Sequence, residues 1–152
     1  MLSVGAGAAY LERLLVHLGV NKDNIILADV EPKHLPDDFQ IKIFDMFEEW
    51  PEFKDRQKFD LIIFPENPSI NVHCHKYGEP EIQTFSSIFA KALQNLKLEG
   101  EIKMTGNPTG PEITEKVEQE LRKAGYNVTV QNLHPTKESL IVVKNKTSPN
   151  TG

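Results

Sequence analysis

The sequence is short of cysteine, of clustered basic charge and of long apolar runs, and each shortage closes off a class of protein. Cys74 is the only cysteine, so no intrachain disulfide can form. No apolar stretch approaches the roughly 18 residues that a membrane helix needs. No basic segment followed by an apolar one opens the chain, so a secretory leader is not expected. With 17 basic against 22 acidic residues the net charge is -5, which disfavours binding to phosphate backbones. These shortages predict a soluble protein of a reducing, cytoplasmic setting.

What is present is an ordinary globular composition, 39% hydrophobic and 26% charged over 152 residues, which suits one domain with a single well-formed core. Residues 1–145 are read as that domain. Residues 146–152 are read as a flexible tail, because from Lys144 onward the chain has no apolar periodicity.

Seven apolar, β-rich runs recur: Leu2 to Val4, Asn24 to Val30, Ile41 to Phe44, Phe59 to Phe64, Glu101 to Thr105, Asn127 to Gln131 and Leu140 to Val143. Ile25-Ile26-Leu27 and Leu61-Ile62-Ile63-Phe64 are continuously apolar, the pattern of parallel strands covered on both faces. Helical periodicity falls between the runs at Ala8 to Leu18, Ile82 to Leu96 and Glu112 to Ala124. This alternation predicts an α/β fold with a doubly wound, mostly parallel seven-stranded sheet. The last two runs are separated only by the polar stretch Asn132 to Ser139, so they are expected to pair antiparallel. Pro32 to Phe39 and Phe47 to Phe53 contain prolines and are too broken for full helices.

The most informative stretch is the first. Leu2-Ser3-Val4 enters the turn Gly5-Ala6-Gly7, and the chain passes straight into the helical pattern Leu11, Leu14, Leu15, Leu18. Such a turn lets backbone approach a ligand closely, and the helix N-terminus behind it offers unpaired N–H groups. The spacing leaves Tyr10 where the dinucleotide fingerprint has its third glycine. A tight turn with no ligand is the competing reading.

In open α/β sheets ligands bind beyond the carboxyl ends of the strands, which directs attention to the residues ending each run. Asp29, followed by Val30, lies about 20 residues past the turn, and a carboxylate there can accept both hydroxyls of a ribose. Capping of its own loop is the alternative role. Asp45-Met46 ends the third run and suits an adenine edge, the carboxylate accepting from the exocyclic amine, while Asp45 could instead serve as a helix N-cap.

Taken in order, these segments resemble the class I S-adenosylmethionine-dependent methyltransferases. The matching residues are Leu2 to Leu11 for the cofactor loop, Asp29 for the ribose, Asp45-Met46 for the adenine, Phe59-Asp60-Leu61-Ile62-Ile63 for the fourth strand and Leu96 to Ile102 for the turn into the fifth. The resemblance covers nearly the whole chain. It implies S-adenosylmethionine as cofactor, held by Ser3, Gly5, Ala6, Gly7, Tyr10, Asp29, Val30, Asp45, Met46 and Phe64. It also implies acceptor chemistry in the loop after the fourth strand, with Glu66, Asn67 and His73 as catalytic residues. A fainter resemblance, in Asp60 to Pro65 with Gly100 to Thr105, is to a ribosomal-RNA uridine methyltransferase-like subfamily. The acidic charge favours a small-molecule or protein acceptor over nucleic acid.

The chain also departs from the family. Ser3 stands where an acidic residue is common, and Ala9 where a third glycine is common. The helix between strands two and three is missing or reduced, as is the N-terminal helical cover, which predicts an exposed apolar surface closed by a homo-oligomer or a partner subunit. These departures support the alternative of a methyltransferase-like subunit that binds or scaffolds without catalysis. A nicotinamide-dependent oxidoreductase is a lesser reading, opposed by Tyr10 and by the C-terminal hairpin. His73-Cys74-His75 lacks the three or four spaced ligands of a zinc site, and no metal is assigned. His73, His75 and Tyr77 are read as lining the outer pocket, where a neutral imidazole can act as a base; ordinary loop residues are the competing reading. Trp50 and Phe53 are read as packing anchors.

Overall fold

The structure is a computed structural model; it describes the chain apart from residues 7–8, 32, 34, 55–57, 66–67, 79, 107–110, 134–137 and 146–152. The parallel part of the fold is built from β1 (Leu2–Val4), β2 (Ile26–Asp29), β3 (Gln40–Ile43), β4 (Phe59–Phe64) and β5 (Leu96–Gly106). Helix α1 (Tyr10–His17) follows β1, while α2 (Pro68–Tyr77) and α3 (Glu81–Gln94) connect β4 to β5. Helix α4 (Pro111–Lys123) then leads to β6 (Asn127–Leu133) and β7 (Glu138–Lys144).

The seven strands form one sheet in the order β3-β2-β1-β4-β5-β7-β6. The first five pair in parallel, and β7 lies between β5 and β6, antiparallel to both. Each strand run in the sequence corresponds to one strand here, and β4 shows why continuous apolarity signals a central strand. Phe59, Ile62, Ile63 and Phe64 are all buried, because helices cover one face and the α1 layer the other.

The larger core joins Leu2, Val4, Phe59, Ile62, Phe64, Ile102 and Met104 of the sheet to Phe85, Ile88 and Phe89 of α3 and Val117 and Leu121 of α4. A smaller core on the other face gathers Ala6, Ala9, Ile25, Leu27, Leu35 and Phe39. Arg13 anchors α1 to the segment before β3 through a 2.9 Å ion pair with Asp38, and that hydrogen bond holds the Asp38 carboxyl below its usual range. Among the described residues no helix separates β2 from β3, as the two prolines predict.

Two expectations need correction. First, the helical pattern Leu11, Leu14, Leu15, Leu18 is not the buried face: Leu11 and Leu14 of α1 and Leu18 at its C-cap are 44%, 52% and 70% exposed and Leu15 is half-buried, while Ala9 and Glu12 are buried. Ala9 adopts the left-handed conformation (φ 59°, ψ 38°) as it enters the helix, and this sets the phase so that positions 9, 12 and 16 face the sheet. A Leu14→Glu substitution is therefore expected to shift the unfolding free energy by no more than about 0.5 kcal/mol, the range of surface changes, and not by the 2–5 kcal/mol or so of a core leucine. Thermal melts read the difference.

Second, the segment after β4 is not an extended loop. It becomes α2, whose weak apolar periodicity hid it, with buried Cys74 packing into the main core. At the C-terminal end the described structure reaches Asn145. Lys144 lies in β7, and the Asn145 side-chain amide donates to the carbonyls of Leu96 and Lys97 at 3.2 and 3.1 Å while its backbone N–H reaches Gly100. The expected flexible tail, 146–152, lies outside the described residues.

Those bonds staple the irregular entry into β5, where Glu99 takes a φ of 64°. A Cβ on Gly100 would meet the Leu96 side chain and the Lys97 carbonyl at 2.9 Å, so only glycine fits at the kink.

Candidate functional site

Parallel pairing brings the carboxyl ends of β3, β2, β1 and β4 to one edge of the sheet. The chain builds outward from β1 to β2 and β3, then returns to β4 on the other side, so the switch point lies between β1 and β4. The glycine turn leaves β1 there. Gly5 has a φ of 75°, and the N–H groups of Gly5 and Ala6 both donate to the Ala28 carbonyl, at 2.8 and 3.2 Å. The turn is thus fastened to the end of β2, one residue before Asp29. Gly7 lies outside the described residues, and Tyr10 is the first residue of α1.

Asp29 ends β2 half-buried. Its Oδ1 accepts from the backbone N–H of Val30 at 2.8 Å and, more weakly, of Glu31 at 3.4 Å. Phe44 N–H bonds the Asp29 carbonyl at 3.2 Å, which holds the end of β3 against the end of β2. Val30 is 57% exposed at the rim.

Asp45 and Met46 follow β3. Asp45 Oδ1 accepts from Phe47 N–H at 2.9 Å and so closes the turn locally; no helix begins there, and the N-cap alternative becomes a turn cap. The Met46 carbonyl accepts from Trp50 Nε1 at 3.0 Å. Beneath this turn Phe44 lies 5.3 Å from Trp50 and 6.2 Å from Phe53, and Phe53 meets Phe59 edge-on at 5.0 Å. Trp50 and Phe53 are the packing anchors their sequence suggested. The Met46 methyl reaches back across the edge, to within 3.5 Å of where a Cβ on Gly5 would stand. Two segments 41 positions apart in the sequence therefore meet over the glycine turn.

Phe64 ends β4, but its ring is buried in the main core, 6.3 Å from Trp50; only its backbone reaches the edge. Glu66 and Asn67 lie outside the described residues. His73 projects from α2 and stacks on Phe47 at 3.6 Å with an interplanar angle of 5°, and Tyr77 lies 4.8 Å from it. His75 is on the exposed side of the helix and Cys74 on the buried side, so these three neighbours point apart. Among the described residues no three His, Cys, Asp or Glu side chains come together as metal ligands.

On the far side of Phe47 is a pocket of about 250 Å³ lined by Phe47, Pro80, Gln83, Thr84, Ser87 and Ile88. It lies at the first half of α3, the end of that helix nearest the carboxyl edge of β4. A larger groove, about 430 Å³, runs between the C-terminal halves of α3 and α4, past Leu93, Gln94 and Tyr126. It belongs to the opposite edge of the sheet, away from the glycine turn.

One residue the sequence reading did not single out is Glu12. It is 1% exposed, and its Oε1 accepts from the hydroxyl of fully buried Ser3 at 2.5 Å. Its charge concealed it, since a glutamate among leucines at helical spacing ordinarily faces solvent. The signal available was Ser3 itself, a polar residue inside a strand that had to find a partner.

No protein-family model and no curated protein matches the sequence. Solved structures do match the fold. An S-adenosylmethionine-dependent methyltransferase from Clostridium acetobutylicum aligns at a TM-score of 0.67 and 11% identity, over 95% of this chain and 83% of its own. A methyltransferase from Pyrococcus furiosus aligns at 0.63 and 11%, over 95% and 74%. The glycopeptide N-methyltransferase MtfA, complexed with sinefungin, aligns at 0.62 and 12%, over 95% and 85%. Against other matched structures the chain spans as little as 50% of their length. The fold is that of the class I methyltransferases, a mostly parallel seven-stranded sheet with an antiparallel C-terminal pair.

Proposed function

We propose that the chain is an S-adenosylmethionine-dependent methyltransferase that works in the cytoplasm on a small-molecule or protein acceptor. The observation that carries this reading is the meeting of Met46 with the Gly5 turn beside Asp29. A backbone turn without Cβ, a thioether over it and a carboxylate at the next strand end together suit a nucleoside: close approach at the turn, an apolar face for the base and an acceptor for the ribose. MtfA, which shares the fold, was solved with sinefungin, and the Clostridium neighbour is described as S-adenosylmethionine-dependent.

In this reading Ser3, Gly5, Ala6, Gly7 and Tyr10 hold the amino-acid end of the cofactor, Asp29 with Val30 holds the ribose, and Asp45 and Met46 hold the adenine, with the Phe64 backbone closing the edge. When bound, S-adenosylmethionine supplies an electrophilic methyl group on a sulfonium. The protein's task is to align the acceptor with that methyl and exclude water, which positioning alone accelerates strongly. His73, oriented by its stack on Phe47, is the proposed base for a hydroxyl or amine proton, and Glu66 and Asn67 are proposed to bind the acceptor. The pocket beside Phe47 is smaller than the roughly 300–1,000 Å³ of a drug-sized site, and this supports a compact acceptor group. The acidic net charge supports an acceptor other than nucleic acid, and the single, buried thiol of Cys74 suits a reducing compartment. No helix among the described residues is long and apolar enough to cross a membrane.

Calorimetric titration tests the cofactor assignment. Saturable binding of S-adenosylmethionine and S-adenosylhomocysteine, with none of NAD, is the expected result; no binding to the folded chain overturns the proposal.

A further inference from the structure

We propose that the methyl acceptor is a segment of extended polypeptide lying in a channel along α3, its uncharged acceptor side chain beside Phe47 and a cationic side chain, about four or five residues away, beside Trp50, Glu49 and Glu52. This rests on the methyltransferase reading above and deepens it.

The channel follows from residue spacing on α3. On the helix side, the cavity beside Phe47 is lined by Pro80, Gln83, Thr84, Ser87 and Ile88. A second cavity, of about 460 Å³, is lined by Lys91, Gln94 and Asn95 and, across from them, by Glu49, Trp50, Pro51 and Glu52. The second set continues the helical spacing of the first, so both lie on one face of α3. The facing wall is also one run of chain, from Phe47 to Glu52. At the step from one set to the next, Lys91 Nζ donates to the Phe47 carbonyl at 3.1 Å and ties the two walls together. Thr84 of the first cavity and Gln94 of the second are ten positions apart, about 15 Å along a helix, a span that an extended chain crosses in about four or five residues. A compact small molecule fills one cavity or the other; a polypeptide occupies both.

The two ends differ in charge. Among the described residues none that lines the Phe47 end is charged; a charged group seated there would lose water without gaining a counter-charge, so the group it takes is neutral. The other end carries Glu49 and Glu52, both exposed, and among the described residues neither forms an ion pair. Lys91, the cation that lines this end, donates to the Phe47 carbonyl. Trp50 stands between the two glutamates, its indole N–H held by the Met46 carbonyl at 3.0 Å, which fixes the ring as part of the wall. An aromatic ring flanked by two carboxylates suits a guanidinium or ammonium, which gains cation–π and Coulomb attraction together. The chain's net charge of -5 adds attraction of the same sign. A basic polypeptide segment is therefore the occupant that matches both the length of the channel and its charge.

Titration with synthetic peptides tests this, read by the fluorescence of Trp50, the single tryptophan. The probe is a peptide of about eight residues with one serine and, about four residues along, two arginines, compared with the same peptide carrying citrulline or glutamate in place of arginine. Wild type is expected to bind the arginine peptide about tenfold more tightly than the citrulline peptide, and the glutamate peptide more weakly still. Glu49→Gln with Glu52→Gln is expected to bring the arginine peptide to the citrulline level, while calorimetric affinity for S-adenosylhomocysteine stays within about twofold of wild type. Ser87→Phe, which narrows the Phe47 end, is expected to weaken the full peptide and to leave a short Arg-Arg amide, which cannot span the channel, unchanged. Arginine and citrulline peptides bound alike by wild type, or an arginine peptide bound by the double variant as tightly as by wild type, overturns the charge assignment. A Ser87→Phe chain that binds the full peptide as wild type does overturns the span. S-adenosylhomocysteine bound with no peptide bound overturns the polypeptide acceptor and leaves the methyltransferase reading standing. Peptide selectivity as expected, with no S-adenosylhomocysteine bound, overturns the methyltransferase reading and the acceptor role with it.

Discussion

Phe59→Ala is expected to remove about 3–5 kcal/mol of stability, a large part of the roughly 5–15 kcal/mol that holds a domain of this size folded. Phe59 opens β4, pairs with Leu96 of β5 and is 2% exposed, so truncation leaves a cavity in a close-packed core that relaxes only in part. The ring is also the lowest step of an aromatic ladder. It meets Phe53 edge-on, Phe53 meets Phe44, and Phe44 meets Trp50, whose indole N–H holds the Met46 carbonyl. Edge-to-face contacts of this kind add about 0.5–1.5 kcal/mol beyond area burial. The loss should therefore propagate to the turn that carries Met46, and nucleoside binding by the surviving folded fraction should weaken as well. Phe59→Leu, which keeps most of the volume, is expected to cost less than about 1.5 kcal/mol. Urea unfolding followed by tryptophan fluorescence, with Trp50 as the single reporter, separates the two variants. Equal midpoints for Phe59→Ala and wild type would refute the packing account.

How much of this could be read from the sequence depended on whether a local signal agreed with its tertiary setting. The seven strands were legible because each carries an apolar run bounded by polar or glycine residues, and a buried parallel strand such as β4 permits little else. The C-terminal hairpin followed from the lack of room for a helix between β6 and β7. Helix α2 was not legible: its composition, with Asn71, His73, His75 and Lys76 around buried Cys74, produces no marked apolar face. The rotation of α1 was not legible either. Four leucines at helical spacing describe an inward face in isolation, but the left-handed Ala9 entering the helix from the glycine turn rotates Leu11, Leu14 and Leu18 outward and Glu12 inward. Of the proposed site, the strand-end residues Gly5, Asp29 and Met46 could be found, because topology alone sends them to one edge. The pairing of Glu12 with Ser3 could not, since it depends on that rotation.

Asp29 is where the two roles weighed for a strand-end carboxylate can be told apart by mutation. Its Oδ1 already accepts from Val30 and Glu31 N–H groups, so the side chain does cap its own turn. A ribose diol asks for something more, an acceptor that carries charge, which a carboxylate supplies and an amide does not. Asp29→Asn keeps an oxygen for the turn and removes the charge. Its ligand-free melting is expected to stay within about 0.5 kcal/mol of wild type, while its affinity for S-adenosylhomocysteine falls about tenfold, as charged hydrogen bonds exceed neutral ones. Asp29→Ala removes both functions. It is expected to lose about 1 kcal/mol of stability with the turn bond, and about 3 kcal/mol of binding, roughly 100-fold, with the bonds to the ribose. The 2′-deoxy form of the ligand completes the comparison: wild type should bind it more weakly than the parent, and Asp29→Ala should bind the two alike. Should Asp29→Asn bind S-adenosylhomocysteine as tightly as wild type while Asp29→Ala does not, the carboxylate is a turn cap alone, and recognition of the ribose must come from elsewhere on the edge.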